Sequence, residues 1–237
     1  MPENIPKTAL QGESIDIVFD HSDFVVINKP VNIAVHAHDE PTLLDAVRAH
    51  FGSETIHPVH RLDLATSGLV VFAKTSEANR ALCQAFAEQR VQKVYLALTT
   101  AKAKKKQGWI KGDMQKARGG SYKLLHSHHS PAITYALSFG SESEPRLWLL
   151  RPKSGKTHQL RVALKSWGAP ILGDKRYGGA LADRLYLHAL AIKFTLGGAD
   201  YAFEVKPVCG AQFIGVQAQQ RLAALGNVWA QAWPKGL

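Results

Sequence analysis

The apolar run Leu69-Val70-Val71-Phe72-Ala73, entered through Thr66-Ser67-Gly68 and left through Lys74-Thr75, most constrains what this chain can fold into. A short apolar run bounded by small polar turn residues reads as a loop entering a buried strand. Just upstream, one acid, Asp63, stands between a cationic pair, His60-Arg61, and that turn. Residues 57–75 thus hold a carboxylate and an arginine two positions apart at the edge of a core, where rigid loops carry chemistry. On local features alone, an Arg61–Asp63 pair that merely closes the turn explains the stretch equally well.

A chain of 237 residues can bury a substantial core, and 46% hydrophobic with 20% charged residues is an ordinary soluble, globular balance. No apolar run is long enough to span a bilayer. Residues 1–12 lack the cationic-then-apolar order of a signal peptide, so a cytoplasmic protein with a loose tail over 1–14 is expected. Cys83 and Cys209 form neither a metal-ligand spacing nor a disulfide framework, and Cys83 reads as a buried, reduced thiol. Lys and Arg number 29 against 19 Asp and Glu, a net charge of +10. That excess favours a polyanionic partner, weakly on its own.

Residues 15–20 and 24–28 read as a hairpin turned at His21-Ser22-Asp23 and ended by Lys29-Pro30. A loop over 31–40 carries His36 and His38. A helix begins after a Thr42 cap. Residues 76–91 read as an amphipathic helix capped by Ser76 with Ala78, Leu82, Ala85 and Phe86 buried. The strand 93–99 follows, and its alternation leaves Tyr95 off the core stripe of Val94, Leu96 and Leu98. The lysine-rich segment from Lys102 to Gly120 reads as a polar insertion, on balance a solvated loop. Strands at 133–139 and 146–151 form a meander. The cluster His126, His128 and His129 lacks a partner acid or cysteine at ligand spacing and reads as a surface loop, not a metal site.

A second chemically dense stretch is Lys153-Ser154-Gly155-Lys156-Thr157-His158-Gln159-Leu160-Arg161. Thr157 can cap a helix on which His158, Arg161, Leu164 and Lys165 share a face while Leu160 and Ala163 lean inward. Strands at 185–194 and 201–205 and a helix over 212–225 close a chain that reads as one domain, 15–237. There is no phosphate loop, dinucleotide fingerprint or nucleophile elbow, and neither dense stretch holds the second carboxylate of a glycosidase. The residues by themselves support a single acid with an arginine and a tyrosine in a basic protein.

These motifs resemble the RluA-type pseudouridine synthases. His60-Arg61-Leu62-Asp63 with Thr66-Ser67-Gly68-Leu69 is similar to the family's catalytic motif, Lys93-Val94-Tyr95-Leu96-Ala97 to its tyrosine motif, and Thr157-His158-Gln159-Leu160-Arg161 to its arginine motif. Ile171-Leu172-Gly173-Asp174 with Tyr177-Gly178, Leu187-His188-Ala189 and Asn28-Lys29-Pro30 match further landmarks in the family's order. The resemblance implies an α+β catalytic domain with a bent, mainly antiparallel mixed sheet, flanking helices and a central RNA-binding cleft. It implies isomerisation of uridine to pseudouridine in ribosomal or transfer RNA by a monomer, with no cofactor, no metal and no membrane. Asp63 is then the catalytic acid, attacking C1′ of the ribose or C6 of the base, or promoting elimination; the sequence does not choose among these. Arg161 would pair with Asp63 and hold it ionised, and Tyr95 would stack on the base. Leu187 would pack on the base's other side. Arg61 would help extrude the nucleotide, whose C1′ and C5 are shielded in a stack. His60, Thr66, Lys156, His158 and Gln159 complete the expected RNA- and base-binding set.

Three residues depart from the family pattern: Lys156 where arginine is common, Ala163 where histidine is frequent, and Asn32 where glycine is common. The first strand begins too near the start of the chain for a separate N-terminal RNA-binding domain. A non-catalytic RNA-binding or RNA-chaperone protein of the same fold is the alternative, and the intact acid speaks against it, because a pure binder gains nothing from a carboxylate facing phosphate.

Overall fold

The structure, a computed structural model, describes residues 15–37, 41–140 and 145–235; the tail at 1–14 and His38 lie outside the described residues. The chain runs β1 (Ile17–Asp20), β2 (Phe24–Lys29), α1 (Leu43–Phe51), β3 (His57–Pro58), β4 (Ser67–Ala73), α2 (Ser76–Ala87), β5 (Gln92–Thr99), β6 (Gln107–Gly112), β7 (Met114–Lys116) and β8 (Tyr122–Leu124). It continues through β9 (Ala132–Phe139), β10 (Arg146–Pro152), α3 (Gln159–Ser166), β11 (Leu187–Leu196), β12 (Ala199–Glu204), α4 (Ala211–Ile214) and α5 (Val216–Ala224). Among the described residues, ten strands form one sheet along the path β1-β2-β4-β11-β5-β10-β9-β6, with β12 on β11 and β3 on β4; β7 and β8 form a separate ribbon. Its pairings are antiparallel except β4 with β11. This is the α+β architecture the resemblance implies.

The centre of the sheet is covered on both faces, so β2 and β4 are buried along their whole lengths. The period-two rule divides them cleanly. Phe24, Val26, Leu69 and Val71 pack with Ala78 and Leu82 of α2. Val25, Ile27, Val70 and Phe72 pack with Leu43 and Val47 of α1. Each such side chain contributes roughly 1.5–3 kcal/mol when fully buried. Thr42 caps α1 in a reciprocal box with Asp45, its side chain accepting from Asp45 N and the Asp45 carboxylate from Thr42 N.

The parallel β4–β11 contact places the residues that precede each strand side by side. Gly68 makes it possible. Its φ is 108°, and a Cβ there would lie 2.3 Å from Ala189 O on β11. A hydrogen-bond chain locks the same junction: Arg184 donates to Ser67 Oγ (2.6 Å), which meets His188 Nδ1 (2.8 Å), while His188 Nε2 faces Val205 O (2.8 Å). A carbonyl only accepts, so the His188 proton sits on Nε2 and Ser67 donates to Nδ1.

Several local expectations give way. The α2 cap is Thr75, which accepts from Ala78 N, not Ser76, and the helix stops at Ala87. Cys83 is exposed, on the outer face of α2, rather than buried. Part of the lysine-rich insertion is the edge strand β6, paired along its length with β9. Only Ile110 and Gly112 of that strand are buried, so its composition mimics a loop. The last helix is broken at Gly215 into α4 and α5. The α3 N-cap is His158, not Thr157; it lies in the left-handed region (φ 57°) without a side-chain cap bond. Leu164 is fully buried rather than facing outward with Lys165. Asn32 also has positive φ, 62°. Glycine and asparagine tolerate that region best, which accounts for asparagine where glycine is common.

Candidate active site

A cleft of about 720 Å³ opens where the β4 approach loop, the start of β5 and the start of α3 converge, a size typical of small-molecule sites. Asp63, Tyr95, Arg161 and Leu187 line it together, with His60, Arg61, Thr66, Lys156, His158 and Gln159. All ten residues singled out in the sequence therefore meet in one place. They do not all face it in the same way.

The Asp63 loop is held from behind. Lys29 is fully buried, and its ammonium donates to the carbonyls of Pro30 (2.8 Å), Ile33 (2.8 Å) and Leu64 (3.1 Å). Asn32 N donates to Leu64 O as well (2.9 Å), and Thr66 N closes a turn on Asp63 O (3.0 Å). Burial, then the Arg184 charge, pulls Lys29 down to about 7, with Asp63 opposing. The Asp63 side chain, 21% exposed, is thereby presented to the cleft on a fixed backbone.

Arg161, on the first turn of α3, reaches it. Its Nη1 lies 3.3 Å from Asp63 Oδ2, while Nε and Nη2 make a two-pronged bond to Asp174 at 2.8 and 2.9 Å. Planar forks of this kind fix direction as well as charge. Burial works against the Arg161 charge, but the Asp174 hydrogen bonds and charge, and then Asp63, outweigh it and hold the guanidinium above its ordinary value. Asp174 has both oxygens engaged by Arg161, is only 1% exposed and also accepts from Tyr177 N (3.2 Å). It therefore positions Arg161.

His158 supplies a second contact to the acid, its Nε2 lying 3.9 Å from Asp63 Oδ2. The Tyr177 hydroxyl accepts from Tyr122 N (3.0 Å) and meets His158 Nδ1 (2.9 Å). The phenol can thus donate to Nδ1, which leaves the Nε2 proton aimed at Asp63. Burial lowers the His158 imidazole, opposed by the Asp63 charge.

Tyr95 is half-buried at the junction of two apolar clusters. Burial, then the Asp63 charge, pushes its phenol well above the ordinary range, so it enters the site neutral. Leu187 is 3% exposed. Gln159 is spent on structure: its amide donates to Ile133 O and Thr134 Oγ1, and its oxygen accepts from Ser154 Oγ and Lys156 N. Lys156 is exposed and reaches Ser130 Oγ (3.1 Å). His60, read above as half of a cationic pair, is neutral. Its Nε2 accepts from Val71 N (3.0 Å), it stacks on Phe86 at 4.6 Å, and burial, then Lys93, holds it at about 3. Arg61 is exposed and, among the described residues, has no hydrogen bond or ion pair. Thr66 Oγ1 is buried without a partner in the structure.

Sequence reasoning assigned no role to Asp174, Tyr177 or Lys93, although all three lay in motifs it quoted. Burial, invisible in the sequence, is what sets them apart. Among the described residues no group of three or more His, Cys, Asp or Glu is placed to hold a metal, and no helix is long and apolar enough to cross a membrane.

Comparison with known proteins agrees with this architecture. The family model described as RNA pseudouridylate synthase matches residues 23–166. An uncharacterized RNA pseudouridine synthase of Haemophilus influenzae is 46% identical over 183 residues, 76% of this chain and 82% of that protein. Ribosomal large subunit pseudouridine synthase C of Rickettsia bellii is 33% identical, covering 80% of this chain and 67% of that protein. The solved structure of human RNA Pseudouridylate Synthase Domain Containing 1 shares the fold, with a TM-score of 0.71 at 23% identity over 91% of this chain and 96% of that one. The chain belongs to the RluA-type RNA pseudouridine synthases, a family of isomerases.

Proposed function

We propose that this enzyme isomerises uridine in ribosomal RNA, with Asp63 as the acid that acts on the flipped nucleotide. One observation carries the reading: among the described residues that line the cleft Asp63 is the one carboxylate, with Arg161 Nη1 3.3 Å from its Oδ2. Arg161 offsets the cost of a charged acid in a partly dehydrated site. Tyr95 and Leu187 line the pocket in which the base stays bound, turns and rejoins through C5. A base that never leaves gains more from a close-fitting pocket than from a separate acid for its departure. The ribosomal target is favoured by the Rickettsia relative's name. Unpairing costs a few kcal/mol, and the +10 charge of the chain helps offset it through backbone contacts.

The test is to map pseudouridine in ribosomal and transfer RNA from cells with and without the gene, and again after adding back wild type or Asp63→Asn. The expected result is a ribosomal position lost on deletion and restored only by wild type. A position restored by Asp63→Asn would overturn the role of the acid, and a position in transfer RNA alone would overturn the substrate.

A further inference from the structure

The α3 wall of the cleft is internally satisfied; the opposite wall is not. Lys93 stands two residues before Tyr95 on β5, hence on the same strand face, roughly 7 Å away along the strand. It lines the cleft with Phe86, Gln89 and His60, and its ammonium lies over the Phe86 ring at 5.5 Å. Among the described residues it has no hydrogen bond and no carboxylate partner. Burial alone draws it down, to about 8. Two other cleft cations differ: Arg161 has Asp174 and Asp63, and Lys156 has Ser130, while Arg61 is exposed to solvent. The neighbouring imidazole gives Lys93 no negative charge, since His60 is neutral and spends Nε2 on Val71 N. A half-buried ammonium with three idle donors is costly unless an anion completes it.

We infer that Lys93, backed by the Phe86 ring, is a subsite for an RNA backbone phosphate adjoining the nucleotide that enters beside Tyr95. This rests on the proposed function for its substrate. The spacing suits it: a base against Tyr95 places its own or a neighbouring phosphodiester within the roughly 7 Å, two strand residues, that separate Tyr95 from Lys93. Phe86 screens one side of the ammonium from water and strengthens its field. Lys93 would then hold the strand while the Asp63 loop works on the base, and the exposed Arg61 would contact the RNA from the rim.

The test compares wild type, Lys93→Met and Lys93→Arg for binding a transcript of large-subunit ribosomal RNA at several salt concentrations, with melting temperature read for each. For Lys93→Met we expect affinity about tenfold or more weaker at 0.1 M salt, and a slope of log Kd against log salt shallower by about 0.7–0.9. Lys93→Arg should restore most of both, and Lys93→Met should melt no lower than wild type. Unchanged affinity and slope in Lys93→Met would overturn the subsite, as would a lowered melting temperature that tracks the affinity loss. Where wild type forms pseudouridine, Lys93→Met should raise KM and spare kcat; a loss confined to kcat would also overturn it. Wild type that binds the transcript with the expected Lys93 dependence yet never modifies it would instead refute the proposed function.

Discussion

The two walls of the cleft are built on opposite principles. On the α3 side the polar groups are tied to one another: Arg161 joins Asp174 to Asp63, and Tyr122 N, Tyr177 and His158 form a relay toward the same acid. On the α2 side Lys93 and Arg61 have no such partner among the described residues. A wall whose interactions close on themselves holds geometry, because side chains locked by their neighbours need not reorganise when charge develops. A wall of unpartnered cations is completed by what binds there. The difference separates residues whose loss should damage the protein from those whose loss should damage only RNA binding.

That division can be broken most decisively at Asp174. Asp174→Ala leaves the buried Arg161 fork without its carboxylate, and truncating one partner of such a pair costs about 3–5 kcal/mol. Denaturant unfolding should show that loss, and turnover should fall with it; an unchanged stability would mean the α3 wall is not self-supporting. Gly68→Ala tests the frame beneath both walls. Its Cβ would clash with Ala189 O and the backbone would need φ near 108°. A loss of about 3 kcal/mol, or a melting point lower by roughly 6–12 °C, is expected by calorimetry.

Acid should act through histidines that the fold keeps neutral. Burial, then Lys93, holds His60 at about 3, and burial holds His188 at about 4. Both lie below the ordinary value of about 6.5, so the unfolded chain binds more protons and stability must fall as pH drops below that value. Between pH 7 and pH 5 each contributes a loss of roughly 2 kcal/mol, so unfolding midpoints at the two values should differ accordingly. A flat profile would show that one or both imidazoles are solvated. The smallest effect is expected for Tyr177→Phe, which removes the hydroxyl between Tyr122 N and His158. A cost of about 1 kcal/mol in stability and about tenfold in turnover should appear, with RNA affinity nearly unchanged.

These contrasts show what a linear reading can reach. Asp63, Tyr95 and Arg161 were visible because each sits in a short motif whose order along the chain matches a known pattern. Buried β4 was visible because its apolar run is uninterrupted. Strand β6 was not, since an edge strand with one wet face carries the composition of a loop. Asp174 was quoted as a landmark without a role, because its service to Arg161 exists only once the loop after α3 folds back beneath that residue. His60 looked cationic beside Arg61, but its ring is turned under Phe86 against a strand N–H, a fact of packing rather than of neighbours in sequence. The Lys93 subsite was hidden for the converse reason: what marks it is a missing partner.

The central claim is that Asp63, held by Arg161, performs the isomerisation. Its most direct test is a single-turnover assay of pseudouridine formation by Asp63→Asn on an RNA that the wild type modifies, with affinity measured alongside. The account predicts no detectable product and a Kd within about threefold of wild type. Product formed by Asp63→Asn at a rate approaching that of wild type would contradict it.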